Sequence, residues 1–210
     1  MDIERYLPGE GRKVPIYTMT HATSMFFSKI PVSTAFIYLF CQGQVEAACT
    51  EDITVPLSTH IIPNSLKYFT GRFIDVWVSK HLTDILNGSF SETFKNGTTN
   101  SYVLYKNGQG FMSSAQLTLE NSGIINVNVD GTNMTGLIFP VYISVPVLGY
   151  YNCYPNVKGP GISTITVRAE SLQNAATFES VYEAKATFRH LQELGILIND
   201  GVDYTDTPPV

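Results

Sequence analysis

The sequence predicts a mainly β protein, an antiparallel β-sandwich or barrel of about eight short strands with one amphipathic C-terminal α-helix packed on it. Three observations predict this fold class. Short runs of β-branched and aromatic residues fill the middle of the chain. Turn dipeptides such as Asn107-Gly108 and Asp130-Gly131 separate these runs, and one later stretch has a helical repeat. With 210 residues, 44% of them hydrophobic, the chain is long enough to bury a self-sufficient core.

Composition divides the chain into three segments. Residues 1–24 carry several prolines and glycines and little periodicity, which favours an extended N-terminal arm. Residues 25–198 are expected to form a single β-rich domain, and residues 199–210 an acidic C-terminal tail. The longest apolar stretch, residues 30–41, is too short to cross a membrane and contains Pro31, so we expect a buried strand and no membrane span.

The first half of the domain contains pieces of strand length. These are Val32 to Phe40, Val45 to Cys49 and Ile53 to Leu57. Residues 68–79 alternate loosely, and His81 to Leu86 could form one helical turn.

Residues 100–147 give the clearest β signal, because turn residues punctuate apolar alternation throughout and predict an antiparallel meander. In Ile125 to Val129 the apolar side chains should face one way and the asparagines the other. Residues 150–161 contain several tyrosines, prolines and glycines, which favours a rigid aromatic loop.

One more strand is expected at Ile162 to Val167, followed by a helix at about 171–194 with Ser171 as its N-cap. Apolar residues recur there every three or four positions, at Phe178, Val181, Ala184, Phe188 and Leu191. This apolar stripe should cover one face of a sheet.

The cysteines number three, an odd count without a CxxC pair, so no zinc site or complete disulfide framework is encoded. Cys41 and Cys49 could face each other across a hairpin, but we expect buried free thiols. Neither a metal motif nor a phosphate-binding loop is present, so no cofactor is expected.

Charge is the most informative feature of the composition. Only 15% of residues are charged, and the formal net charge is -5, which disfavours nucleic acid as a main partner. A surface poor in charge is typical of a subunit covered by its neighbours. We therefore interpret the chain as a structural subunit of a large symmetric assembly, located in a virus or bacteriophage virion (capsid, decoration, connector or tail). Its partners would be further copies and other proteins of that assembly.

The alternative is a receptor- or carbohydrate-binding β module of a fibre or of a secreted or cell-surface protein. Its candidate ligand or partner contacts are Trp77, Tyr150, Tyr151 and Tyr154, whose flat rings could stack on sugars. An enzyme is the remaining alternative, and no catalytic motif is found to support it.

Overall fold

The computed structural model describes residues 49–155, 161–197 and 201–203. Three predicted segments lie outside the described residues. They are the arm at residues 1–24, the strand at Val32 to Phe40, and most of the C-terminal tail. Three α-helices are described, α1 (Glu51–Ser58), α2 (Lys80–Thr83) and α3 (Ala175–Glu193), and 3-10 turns occur at Ser65–Tyr68 and Ala169–Ser171.

Nine strands are described. They are β1 (Gly71–Ser79), β2 (Leu86–Thr93), β3 (Thr98–Tyr105), β4 (Gly110–Leu119), β5 (Ile125–Val129), β6 (Thr135–Ser144), β7 (Val147–Cys153), β8 (Ile162–Arg168) and β9 (Gly201–Asp203).

The first eight strands close into a barrel. Each pairs antiparallel with the next along the chain, and β1 pairs with both β2 and β8. The predicted meander and strand β8 are confirmed. Of the two predicted architectures the barrel is correct and the sandwich is wrong, because β1 joins the two ends of one sheet.

Along one of its two edges, strand β1 pairs first with β2 and then with β9. Its first half, Gly71 to Ile74, pairs with β2. A bulge follows between Asp75 and Trp77, and the last three residues, Trp77 to Ser79, pair with β9. The β1–β2 ladder therefore ends at Ile74, just before Asp75.

Helix α3 packs on the outer face of β6, β7 and β8 through four residues of the predicted stripe, Val181, Ala184, Phe188 and Leu191, whereas the fifth, Phe178, is 66% exposed. The ring of Phe188 lies 5.0 Å from that of Trp77. The N-cap is Asn174, whose side chain accepts from the amide of Ala176, so the predicted cap at Ser171 is wrong. Ser171 instead ends a 3-10 turn, and its carbonyl accepts from Thr177 Oγ1.

Two elements differ from the prediction. Ile53 to Leu57 lies in helix α1 rather than in a strand, because the Thr50 carbonyl accepts the first helical hydrogen bond and Glu51 and Asp52 occupy the positive first turn. Within the predicted aromatic loop, residues 150–153 belong to strand β7, since they continue the ladders to both β6 and β8.

The expectation of free thiols is wrong for two of the cysteines. Cys49 and Cys153 form a disulfide, with Cα atoms 5.5 Å apart, which ties the segment before α1 to the end of β7. Cys41 lies outside the described residues. The pairing joins positions distant in the sequence, so spacing alone gave no signal for it.

Apolar clusters lie near the two ends of strand β1. The 3-10 turn at Ser65–Tyr68 leads into Phe69, which packs with Phe73 at one end. Leu82 of α2 packs with Val78 and Leu86 at the other. None of the helices within the described ranges is long and apolar enough to cross a membrane.

Candidate functional site

The barrel contains a cavity of about 100 Å³. The lining side chains come from β2 to β7 and from the segments next to them. They are Phe69, Ser91, Thr93, Thr99, Ser101, Ser113, Ala115, Leu117, Val127, Val129, Ile138, Tyr150, Asn152 and Tyr154. None of these residues carries a formal charge at neutral pH.

One wall of the cavity carries hydroxyl groups. Ser91, Ser101 and Ser113 are register partners on β2, β3 and β4, so they lie side by side around the wall. Thr93 and Thr99 form the adjacent pair, and Thr93 Oγ1 donates to Thr99 Oγ1 over 3.0 Å. The wall therefore offers neutral hydrogen-bonding groups.

The adjoining wall is apolar apart from one amide. It is formed by two register pairs between β4 and β5, all within one buried cluster: Ala115 with Val129 and Leu117 with Val127. On β7, the side-chain oxygen of Asn152 is buried and accepts no hydrogen bond. A buried acceptor without a donor is costly, and a ligand that donates to it would offset that cost.

Two of the four predicted site residues, Tyr150 and Tyr154, line this cavity. The Tyr150 ring lies 5.5 Å from that of Phe69. Burial raises the pKa of Tyr154 to about 12, so its hydroxyl stays neutral at physiological pH. A Cβ at Gly136 would come within 2.7 Å of the Tyr154 ring, so this glycine makes room for it.

The other two predicted residues lie on the opposite side of the barrel wall. Trp77 and Tyr151 both belong to the cluster beneath α3, and Tyr151 is 2% exposed. Tyr151 packs against Phe139 with ring centroids 6.2 Å apart. The four residues therefore do not form one stacking surface, and a contact between any of them and a ligand stays a prediction.

Sequence reasoning missed a polar group inside the barrel. Asp75 on β1 is the register partner of Thr166 on β8, and Ser89 Oγ on β2 donates to Asp75 Oδ2. Burial raises the pKa of Asp75 to about 7, and the hydrogen bond from Ser89 only partly opposes the shift. The signal in the sequence was a lone aspartate within the apolar run from Phe73 to Val78.

Within the described ranges, no three His, Cys, Asp or Glu side chains come together in a way that could hold a metal ion. The chemistry that the interior offers is hydrogen bonding from neutral groups, apolar contact, and one buried carboxyl group.

Neither a protein-family profile nor a curated protein sequence matches the chain. Solved structures are similar in fold. Bovine odorant-binding protein, a deswapped triple mutant, is 14% identical, with 66% of this chain and 95% of that chain covered and a TM-score of 0.45. Lobster apocrustacyanin A1 is 13% identical, with 78% and 93% covered and a TM-score of 0.48. Aphrodisin, a sex pheromone from female hamster, is 18% identical, with 68% and 99% covered and a TM-score of 0.44.

The predicted function, a structural subunit of a virion, is wrong, and so is the predicted location in a virion. The solved structures with a similar fold are an odorant-binding protein, an apocrustacyanin and a pheromone, and none of them is described as a virion component. Eight antiparallel strands closed in an up-and-down barrel around a small cavity are an architecture that lipocalins share with streptavidin. The fold of this chain is therefore a lipocalin-like barrel with one C-terminal helix.

Proposed function

We propose that this protein binds a small, partly apolar molecule inside the barrel. The observation that carries the proposal is the cavity inside the barrel, with hydroxyl groups on one part of its lining, apolar side chains on another, and a buried Asn152 oxygen that lacks a donor. A ligand with an apolar body and a hydrogen-bond donor would satisfy both walls and the amide oxygen.

The cavity volume limits the size of the ligand. About 100 Å³ is below the range of about 300–1,000 Å³ usual for drug-sized ligands. An oligosaccharide is too large for this space, so the proposal replaces the sugar-stacking alternative with a small molecule held inside the barrel.

The disulfide supports a location of the protein outside the reducing cytosol. Disulfides such as Cys49–Cys153 persist in oxidising compartments and are rare in the cytosol. We therefore propose that the protein is secreted or displayed at the cell surface.

Calorimetry and saturation-transfer NMR with 1-pentanol as the probe test the proposed cavity. Ala115 lines the cavity on β4, and Ala115→Leu would fill part of that space. Thr118 is exposed on the same strand, so Thr118→Leu is the matched control. We expect Ala115→Leu to abolish binding and Thr118→Leu to leave it unchanged. Absence of 1-pentanol binding to the unmodified protein, or equal binding to both variants, would overturn the proposal.

Asn152→Leu tests the amide oxygen separately. Loss of one neutral hydrogen bond should weaken 1-pentanol binding about two- to tenfold. A thermal melt of the same variant checks that the barrel remains folded.

A further inference from the structure

Asp75, Ser89 and Thr166 meet on the inward faces of the three strands where the barrel closes. Neighbouring residues alternate outward, since Ile165 and Val167 pack beneath α3 while Thr166 faces the interior. Asp75 Oδ2 accepts from Ser89, but Asp75 Oδ1 and Thr166 Oγ1 are buried and have no hydrogen-bond partner. Two oxygens on adjacent strands thus lack donors at one place.

The buried carboxyl also lacks a cation among the described residues. Arg168 lies two residues beyond Thr166 on β8, but it stacks on the Phe73 ring and donates to the carbonyl of Thr70. Arg72 belongs to the outward face, over the Phe90 ring. A carboxylate in the interior is costly unless a positive charge pairs with it.

Hydroxyl side chains on the inward face of β2 lie between the carboxyl group and the cavity. Ser89, Ser91 and Thr93 occupy alternate positions on the inward face of β2, and the last two line the cavity. Alternate residues of a strand are about 7 Å apart. The β1–β2 ladder ends at the Ile74–Phe90 pair, so backbone pairing no longer joins the two strands beside Asp75.

We propose that Asp75 and Thr166 anchor the ammonium group of a small primary amine whose apolar body lies in the cavity. This inference rests on the proposed function and adds the class of ligand. An ammonium group has three donors, which suit Asp75 Oδ1 and Thr166 Oγ1, and one positive charge, which would pair with the Asp75 carboxylate. The net charge of -5 also favours the approach of cations.

The proposal implies linkage to pH. Above a pKa of about 7 the carboxyl is ionised before the amine arrives, and below it amine binding must expel the carboxyl proton. Arg168 faces the interior from β8, over the Phe73 ring, and on α2, which packs against β1 and β2, burial lowers the pKa of His81. We expect affinity for the amine to fall as the pH is lowered through about 7.

Calorimetry with a matched pair of probes, pentylamine and 1-pentanol, tests the inference. The two have the same apolar chain, and only pentylamine carries the ammonium group that would meet Asp75. The unmodified protein should bind the amine at least about tenfold more tightly than the alcohol at pH 8. Asp75→Asn should remove that preference while still binding the alcohol. Asp130→Asn, the same change at an exposed turn, should leave the preference intact.

The outcomes separate the two proposals. If neither probe binds, the proposed function fails and the amine site fails with it. If both probes bind equally, or if Asp75→Asn keeps the preference, only the amine site is overturned. Should Asp75→Asn not fold, pentylamine titrations of the unmodified protein at pH 6.5, in buffers of different ionisation enthalpy, decide the question. Release of most of a proton supports the site, and no release overturns it.

Discussion

The Cys49–Cys153 bridge should contribute several kcal/mol to stability. It joins residues 104 apart in the sequence, so in the unfolded chain it closes a long loop. The loop-entropy relation for that length gives about 4.7 kcal/mol at room temperature, and native bridges in small domains contribute about 2–5 kcal/mol. We expect Cys49→Ala with Cys153→Ala to lower the free energy of unfolding by that amount.

Urea unfolding measures this effect. The single tryptophan, Trp77, is buried against Phe188, so its fluorescence should report unfolding of the barrel and its helix together. A reducing agent should destabilise the unmodified protein to a similar degree and leave the double variant unchanged, which is the control. If reduction changes the free energy of unfolding of the unmodified protein by less than about 1 kcal/mol, the reasoning from loop length is refuted.

Three further predictions concern the core and the interior. Phe188→Ala should cost about 3–5 kcal/mol in urea unfolding, because it leaves a cavity against Trp77 beneath α3; a cost below about 1 kcal/mol would contradict that packing. Folding raises the pKa of Asp75 from 3.8 to about 7, so protonation of Asp75 favours the native state. We therefore expect the free energy of unfolding of the unmodified protein, relative to that of Asp75→Asn, to fall as the pH rises from about 4 to 7 and then to level off. Urea unfolding at several pH values checks this, and a parallel pH dependence in both proteins would refute it. Gly136→Ala should push the Tyr154 ring toward the cavity and weaken 1-pentanol binding in calorimetry; unchanged affinity would show that the ring has room elsewhere.

The meander was predictable because its signals are local. Asp130-Gly131 lies in the connection between two apolar alternations, and Ile125 to Val129 buries its apolar residues inward as the pattern indicated. Closure of the barrel was not predictable in the same way. It depends on β1 pairing with β8, strands separated by more than half of the domain, and no local pattern specifies that partner.

The candidate site was harder to predict than the fold. Its lining converges from many strands, and a serine such as Ser101 looks like any surface serine until the register turns it inward. The low fraction of charged residues also had an explanation within the chain. Neutral polar residues such as Thr93 and Thr99 face the interior as well as the outside, so a sparsely charged sequence does not require a covering partner.

The short strand β9 covers part of the edge of strand β1. At Trp77 to Ser79, β9 supplies the backbone partner that β2 no longer provides, and Asp203 forms an ion pair with Lys185 of α3. Without those three residues, a stretch of β1 would present unsatisfied amide and carbonyl groups as an open sheet edge, on which a second molecule could add a strand. Such edges template aggregation, so we expect removal of Gly201–Asp203 to make the protein more prone to associate.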